Sequence, residues 1–367
     1  MITIYILFCI LISILLHVIN VNFPFQVKIS IRIIFSIIVV FLATLYGYRV
    51  IDSSYGGIDT EVYQQIYNHI QGKELSVIFE TRIEFGYSLL MWSTQAFGGE
   101  FSDFLVLNFL ILIAILFSIS KRLPKSIVSL CSLLLFSLLM IDSFNITRMV
   151  LSTYLLMLGL LYYVEEKKVF GCLVIILAAS IQMTALIGLL FICYYNFQNR
   201  YNKSYRLLFF LLCLGGSFLS VYAFKTILAN IGYGHYINES NAFSLLNSIL
   251  GLIIFSFHYL FLKNSGYAFS RHYKFIITLI PTVLFILPLY MEVPIAYRFN
   301  YIYMMFFAFI IPEQILASYY NFSNWRVFGL VIPIFLVSYM ILKLNSFFSV
   351  GVYSAQLWGI STNWYLW

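Results

Sequence analysis

The sequence predicts an all-α, polytopic membrane protein. Of its 367 residues, 62% are hydrophobic and only 10% are charged, whereas soluble domains have about 45–50% apolar and about 25% charged residues. Many apolar residues form runs of roughly 18 or more, the length that a helix needs to cross a bilayer core. This composition excludes a soluble enzyme, a disordered protein and a coiled coil. The whole chain, 1–367, is predicted to form one integral membrane domain.

The apolar runs predict about 10–12 transmembrane helices. One further stretch, 169–195, is awkward as a single span, because Ser180, Gln182 and Thr184 lie at its middle and basic residues lie at both ends. The other runs lie at 2–20, 29–46, 102–119, 126–142, 147–164, 206–228, 244–262, 274–290, 297–317 and 326–344.

The positions of Lys and Arg predict the topology, since short cytoplasmic loops are enriched in these residues. The loops assigned to the cytoplasmic side, with the helix ends beside them, hold 14 of the 21 basic residues and 3 of the 14 acidic ones. A straight span at 169–195 would place Arg200, Lys203 and Arg206 outside. We therefore predict a broken, re-entrant pair of half-helices that meet near Gln182 and line a cavity; one tilted helix is the alternative. The loops are 21–32, 120–125, 165–168, 198–206, 263–274 and 318–326.

The longest polar segment, 47–103, falls on the outer side. It is predicted to carry two amphipathic helices that lie at the level of the lipid headgroups, and loops of this length usually carry function. The alternative is a solvated loop in which Asp59 serves as a helix N-cap. The first apolar stripe is Val62, Tyr63, Ile66, Tyr67 and Ile70, and the second is Phe85, Leu89, Trp92 and Ala96.

Two arginines begin predicted spans on this outer side, Arg148 and Arg298. Snorkelling to the interface is one explanation for a cation at such a place. The other is anion binding, because the planar guanidinium binds diphosphate or carboxylate through two parallel hydrogen bonds. His235 and Glu239 also lie at an outer helix end.

Several familiar site patterns are absent from the sequence. The five histidines never pair at i, i+4, and no His/Glu cluster has zinc spacing, so no metal is predicted. The sequence has no P-loop and no D-x-D pair. No predicted span carries several ionisable residues near its middle, which weakens the case for an ion-coupled transporter.

A series of short motifs then runs along residues 45–310. A Gly-x-Asp motif ending at Asp59 is followed by tyrosines; further on come an Arg that opens a span, a polar motif in the middle of 169–195 and a second Arg. This order resembles the EpsG-like branch of the Wzy-type O-antigen and exopolysaccharide polymerases. The motifs are Gly57-Ile58-Asp59 with Tyr63 and Tyr67, Glu84-Phe85-Gly86-Tyr87, Arg148, Gln182-Met183-Thr184-Ala185, and Arg298 with Tyr301.

The chain departs from the family pattern at three positions. Phe85 stands where proline is usual, Met149 where glutamine is usual, and Gln182 where histidine is usual. The last departure removes a titrating imidazole, because an amide forms hydrogen bonds but does not take up a proton near neutral pH.

The resemblance implies a glycosyltransferase of GT-C-like architecture in the bacterial inner membrane, with its active face on the periplasmic side. Its substrates would be undecaprenyl-diphosphate-linked repeat units, with no metal or soluble cofactor and no nucleic acid. Membrane lipid, a chain-length regulator and a flippase are the candidate partners.

The resemblance also implies roles for particular residues. Arg148 and Arg298 would hold the diphosphate, and Glu84 or Asp59 would be the base that takes a proton from the acceptor hydroxyl. The remaining candidates for substrate binding are Arg49, Arg82, Tyr63, Tyr87, Gln182, Thr184, His235, Glu239 and Tyr301.

Two other classes remain as alternatives. A lipid-linked oligosaccharide flippase would also recognise diphosphate, but it would show two related halves, and the sequence shows no internal repeat. A polytopic sugar O-acyltransferase would need a catalytic histidine, and His17, His258 and His272 have no acid partner nearby in sequence.

Overall fold

Most of the residues that the structure describes are helical, and no strand occurs among them. The computed structural model describes residues 2–20, 25–49, 51, 58–81, 83–141, 143–201, 204–205, 210–216, 242–263, 266–285 and 298–321. The helices are α1 (Ile2–Asn20), α2 (Phe25–Gly47), α3 (Ile58–Ile70), α4 (Phe85–Ala96), α5 (Phe101–Ser120), α6 (Ser129–Ile141), α7 (Ser143–Val164), α8 (Lys168–Ile181), α9 (Ile187–Arg200), α10 (Ala242–Phe257), α11 (Arg271–Leu279) and α12 (Arg298–Asn321).

Four of the described helices are long and apolar enough to cross a membrane, namely those containing Ile29–Gly47, Phe101–Ser120, Ile146–Val164 and Phe299–Tyr319. All four coincide with predicted spans. Shorter apolar helices include Cys9–Asn20 and Ser129–Met140. The chain is therefore an all-α polytopic membrane protein, as predicted. The predicted span at 326–344 and most of the one at 206–228 lie outside the described residues.

The awkward stretch at 169–195 is broken where the sequence predicts. Helix α8 ends at Ile181, Gln182 is extended with φ −151° and ψ 114°, and a short 3-10 turn, Met183–Leu186, leads into α9. The amide of Asn196 near the end of α9 donates to the hydroxyl of Tyr163, 2.8 Å away. Since Tyr163 lies at the end of α7 that joins α8, α9 returns to the side from which α8 starts, and the re-entrant prediction is confirmed.

Glycines bring α7 and α8 into close contact. A Cβ added at Gly171 would lie 2.7 Å from the carbonyl oxygen of Gly159, so only a residue without a side chain allows the two backbones to approach this closely. Ser152 of α7 donates its hydroxyl to the carbonyl of Ala178, 2.8 Å away. These contacts hold the break at Gln182 beside α7.

Contacts within three of the six loops predicted to be cytoplasmic, and at the helix ends next to two more, Asn20 and Asn196, place these parts of the chain together at one end of the bundle. Arg122 donates to both oxygens of Glu165, at 2.6 and 3.0 Å. His272 lies 3.4 Å from the same carboxylate, and Asn20 donates to Ser120 over 2.8 Å. The grouping of these loops is thus confirmed, while the side of the membrane that this "Glu165 end" faces stays a prediction.

The Glu165 carboxylate is the centre of this end. Burial alone would raise its pKa, but the hydrogen bonds and charge of Arg122, with help from the neighbouring cations, hold the pKa of Glu165 below its usual value. A carboxyl group with a lowered pKa stabilises the fold above its unfolded-state pKa, and this contribution is lost as the pH falls through the folded-state value.

We expect Glu165→Gln to lower the thermal stability of the detergent-solubilised protein, because Arg122 then lacks its charged partner. The expected loss is about 1–3 kcal/mol at neutral pH, and it should shrink as the pH is lowered. Glu166→Gln is the matched control. Its side chain is 86% exposed, and exposed pairs contribute less than about 1 kcal/mol. Equal effects of the two substitutions would contradict the central position of Glu165.

Cysteine labelling tests the return of α9. With the five native cysteines replaced, we expect Asn199→Cys to resist a membrane-impermeant thiol reagent in intact cells, since Asn199 lies at the Glu165 end. Gln71→Cys, on the segment predicted to be outside, should react readily. If both positions were fully labelled in intact cells, so that lysis exposed no additional thiols, the two residues would lie on the same side of the membrane. That result would contradict the prediction.

The segment 47–103 forms the two predicted helices, but they pack into the bundle. Helix α3 buries Tyr63, Tyr67 and Ile70, while Val62 is exposed. The ring of Tyr67 contacts the rings of Phe101 and Phe104 at centroid distances of 5.4 and 5.8 Å. The apolar face of α3 therefore lies against the start of α5.

The predicted stripe of α4 is wrong. Phe85 and Ala96 are exposed and Leu89 and Trp92 are half-buried, whereas the buried face consists of Tyr87, Ser88 and Met91. The reason is that α4 is packed on more than one side. The ring of Tyr87 meets those of Tyr63 and Phe104, each with a centroid distance of 5.3 Å, and Gly86 lies against Ser180 of α8. A pattern that assumes one buried stripe does not describe such a helix.

Candidate active site

Three separated parts of the chain meet at the end opposite Glu165. Glu84 precedes α4, Arg148 lies in the first turns of α7, and Met183 follows the break between α8 and α9. One carboxylate oxygen of Glu84 forms an ion pair with Arg148 Nη1. The other oxygen accepts the backbone N–H of Met183 over 3.0 Å. We call this group the Glu84 site.

Glu84 is positioned by a close backbone contact. It is the N-cap residue of α4, yet its side chain makes no capping hydrogen bond, which leaves the carboxylate free to turn toward α7. Two residues later, a Cβ added at Gly86 would lie 2.8 Å from the carbonyl oxygen of Ser180. Glycine at this position therefore lets the start of α4 rest directly on the last turn of α8, which brings Glu84 next to Met183.

Arg148 is positioned by a kink. Helix α7 contains a non-helical residue at Ile146, with φ −101° and ψ 48°. The carbonyl oxygen of Ser143 at this kink accepts hydrogen bonds from the hydroxyls of Tyr46 and Thr147, each at 2.6 Å, so its hydrogen-bonding capacity is used. The guanidinium carbon of Arg148 lies 5.7 Å from the ring centroid of Tyr63, within the range of a cation–π contact.

The Glu84 site is partly sheltered from solvent. The side chain of Arg148 is 13% exposed and that of Glu84 is 25% exposed, so both are reachable from outside while much of their surface is covered. Coulombic interactions in such a place are stronger than in bulk water, where the dielectric constant is about 80. The site therefore offers one strong cation, one anion and one backbone donor to a polar substrate.

We expect Gly86→Ala to displace α4 from α8, since an added methyl group cannot fit against Ser180. Overpacking of this kind costs about 1–3 kcal/mol, and it should separate Glu84 from Met183 and reduce activity. The measurements are thermal stability in detergent and polymer yield in cells. At Gly216 an added Cβ would meet nothing within 4 Å, so Gly216→Ala is the control. Wild-type behaviour of both variants would contradict the close contact.

Arg49 and Asp59 lie near this end but have different surroundings. Arg49 is buried, donating to the carbonyl of Tyr46 over 2.6 Å and to the hydroxyl of Thr60 over 3.4 Å. In this position it joins α2 to α3, and its assistance in diphosphate binding stays a prediction. Asp59 is half-buried in the first turn of α3, one residue inside the helix rather than at its N-cap.

The predicted stacking residues Tyr63 and Tyr87 are buried packing residues. Tyr63 is 5% exposed and Tyr87 is fully covered, and their rings contact each other edge to face. Burial raises the pKa of the Tyr87 phenol well above its usual value, so the ring stays neutral. In this conformation neither ring can stack on a sugar.

The helix break places its two candidate residues beside the Glu84 site. Gln182 is buried, and its carbonyl accepts the backbone N–H of Ala185 over 3.0 Å. Thr184 is half-buried in the following 3-10 turn. The backbone of this break, through the N–H of Met183, supplies the contact with Glu84. The residue type of Met183 carries no signal for such a role, which is why the sequence did not indicate it.

The remaining candidates lie at the margins of the described structure. Arg298 is the first residue of α12, and Tyr301, one turn further along, is buried. Glu313 of the same helix accepts the backbone N–H of Ser270 over 2.8 Å at the Glu165 end. At 1.5 Å per residue, Arg298 therefore begins roughly 22 Å away from Glu313 toward the opposite end. Arg82, His235 and Glu239 lie outside the described residues.

No group of three or more His, Cys, Asp or Glu side chains that could hold a metal ion occurs among the described residues. The Glu84 site itself contains a single carboxylate and a guanidinium. Both groups can offer charge and hydrogen bonds to a substrate.

Comparison with known proteins identifies the family. The family model described as EpsG matches residues 32–357. The chain belongs to the EpsG family. No curated protein and no solved structure matches the chain. As an EpsG family member it is a polysaccharide-polymerase-like membrane protein, glycosyltransferase-like at the level of the family. The Glu84 site lies within the matched residues.

Proposed function

We propose that this EpsG family protein is a polysaccharide polymerase that works at the outer face of the bacterial inner membrane. It would transfer a growing glycan from undecaprenyl diphosphate to a sugar hydroxyl on the next lipid-linked repeat unit. The observation that carries the proposal is the Glu84 site. There a carboxylate and an arginine from distant parts of the chain form an ion pair that is partly covered from solvent.

The reaction requires a base and a stabilised leaving group. The acceptor hydroxyl oxygen bonds to the anomeric carbon of the donor chain, and the bond from that carbon to the diphosphate oxygen breaks. The bonding electron pair leaves with the diphosphate, and the hydroxyl proton passes to the base. Arg148 would stabilise the charge on the leaving diphosphate, and Glu84 would accept the proton.

The amide at position 182 supports Glu84 as the base. A glutamine cannot take up the hydroxyl proton, so the break between α8 and α9 supplies no titrating side chain at that position. Among the described residues, Glu84 supplies a carboxylate that contacts both the break and Arg148. Asp59 stays a candidate, since it lies in the first turn of the neighbouring α3.

Deletion of the gene in its native host tests the proposed function. Loss of a polymerase should leave single repeat units on the surface lipid, because each unit is still made and exported. A flippase would instead leave no repeat units on the surface, and an O-acyltransferase would leave full-length chains that lack a substituent. Either of these two results would overturn the proposal.

A further inference from the structure

The Glu84 carboxylate occupies donors that are suited to a phosphate oxygen. A guanidinium and a backbone N–H are both common ligands of phosphate oxygens in proteins. Here both donate to one carboxylate, Arg148 to one oxygen and Met183 to the other. A second nitrogen of the arginine, Nε, is buried and has no hydrogen-bond partner among the described residues. The guanidinium therefore has binding capacity that Glu84 does not use.

We propose that Glu84 is an internal competitor for the diphosphate of the lipid-linked substrate, and that diphosphate binding displaces it. This inference rests on the proposed function and adds a sequence of events to it. In the structure both carboxylate oxygens of Glu84 are engaged, one by Arg148 and the other by the N–H of Met183. When the diphosphate takes these donors, the carboxylate is released and becomes able to accept a proton.

The exchange requires only a side-chain movement. The backbone beside Glu84 is fixed, because Gly86 lies directly against Ser180 and Tyr87 is fully buried. The side chain of Glu84 has three rotatable bonds, is 25% exposed and makes no capping bond to α4. Rotation about these bonds carries the carboxylate from Arg148 toward solvent while α4 stays in place.

Charge favours the exchange. A diphosphate ester carries about two negative charges, against one on the carboxylate, and it offers more acceptor oxygens to Arg148. A site that is closed by Glu84 for about 90% of the time would bind its ligand about tenfold more weakly than an open one. The consequence is unusual for a catalytic acid or base: removing its charge should improve ligand binding while it stops the reaction.

The test is a binding measurement on the purified full-length protein in nanodiscs of uncharged lipid. The probe is a fluorescent short-chain prenyl diphosphate, and the prenyl alcohol of the same length is the uncharged comparison. We expect Glu84→Gln to bind the diphosphate about tenfold more tightly than the wild type and the alcohol equally well. Arg148→Lys should bind the diphosphate more weakly, because lysine lacks the planar fork.

Glu80→Gln is the matched control, since it removes the same charge from an exposed position four residues earlier. It should leave both affinities unchanged. Equal tightening by Glu80→Gln and Glu84→Gln would mean that general charge repulsion is relieved, and no tightening by Glu84→Gln would mean that its carboxylate does not compete. Either result overturns the exchange.

Polymer formation, measured on the same variants in cells, separates this inference from the proposed function. Loss of polymer in Glu84→Gln without tighter diphosphate binding would refute the exchange and leave the polymerase proposal standing. Normal polymer from both Glu84→Gln and Arg148→Lys would refute the assignment of the site on which both proposals rest.

Discussion

Arg148→Lys is expected to reduce polymer formation by about 100- to 1000-fold, the usual loss when one group that stabilises developing charge is removed. Lysine keeps the positive charge, so any role that needs only a cation at the membrane interface would survive. The planar fork is lost. The guanidinium contacts Glu84 and lies over the ring of Tyr63, and a flexible ammonium reproduces neither arrangement.

The measurement is the ladder of glycan lengths on the cell surface, at matched protein levels. Arg271→Lys is the control, because Arg271 lies at the Glu165 end and is 56% exposed. Its ion pair with the exposed Glu166 is loose, with 3.8 Å between the nitrogen and the oxygen. It should give wild-type ladders. A wild-type ladder from Arg148→Lys would show that Arg148 is an interfacial anchor. Arg298→Lys is predicted to behave like Arg148→Lys, since it also begins a helix at that end.

Glu84→Gln is expected to stop chain growth, with single repeat units accumulating on the lipid. The amide has nearly the same shape as the carboxylate and can still accept the N–H of Met183, so the fold around the break should remain. The amide cannot take up a proton near neutral pH, and it cannot form an ion pair with Arg148 because it carries no charge. General base catalysis alone contributes about 100- to 10,000-fold.

Two comparisons make this prediction specific. Glu80→Gln should polymerise normally, because the side chain is exposed and lies outside the site. Asp59→Asn should have the smaller effect, since the carboxylate seen in contact with Arg148 and with the backbone of the break is that of Glu84. Normal chain growth in Glu84→Gln together with its loss in Asp59→Asn would transfer the role of base to Asp59.

Much of the fold follows from local sequence features. The apolar runs predict the long helices because a helix needs about 20 apolar residues to cross the bilayer. The positions of Lys and Arg predict which loops share an end because these residues are enriched in short cytoplasmic loops. The break at Gln182 follows from the same charge distribution: without it, Arg200 would lie on the wrong side. The helix starts next to Asp59 and Glu84 were also predictable from the pattern of polar and apolar residues.

The assembly of the site was not predictable in this way. Glu84 and Arg148 were each candidates, but their contact joins residues 64 positions apart. Met183 contributes a backbone N–H, and Gly86 permits a close contact because it has no side chain. The residue type indicates neither role. The burial of Tyr63 and Tyr87 depends on how α3, α4 and α5 pack together, and an amphipathic pattern cannot show that a helix is covered on more than one side.

The rate of chain extension by the purified protein in liposomes, supplied with lipid-diphosphate-linked repeat units, tests most directly whether Glu84 and Arg148 act as one site. The wild type is compared with Glu84→Gln, Arg148→Lys and the double variant. Residues that act as a unit have strongly non-additive effects, so the account predicts that the double variant is no slower than the slower single variant. Defects that multiply in the double variant, or single variants as fast as the wild type, would contradict it.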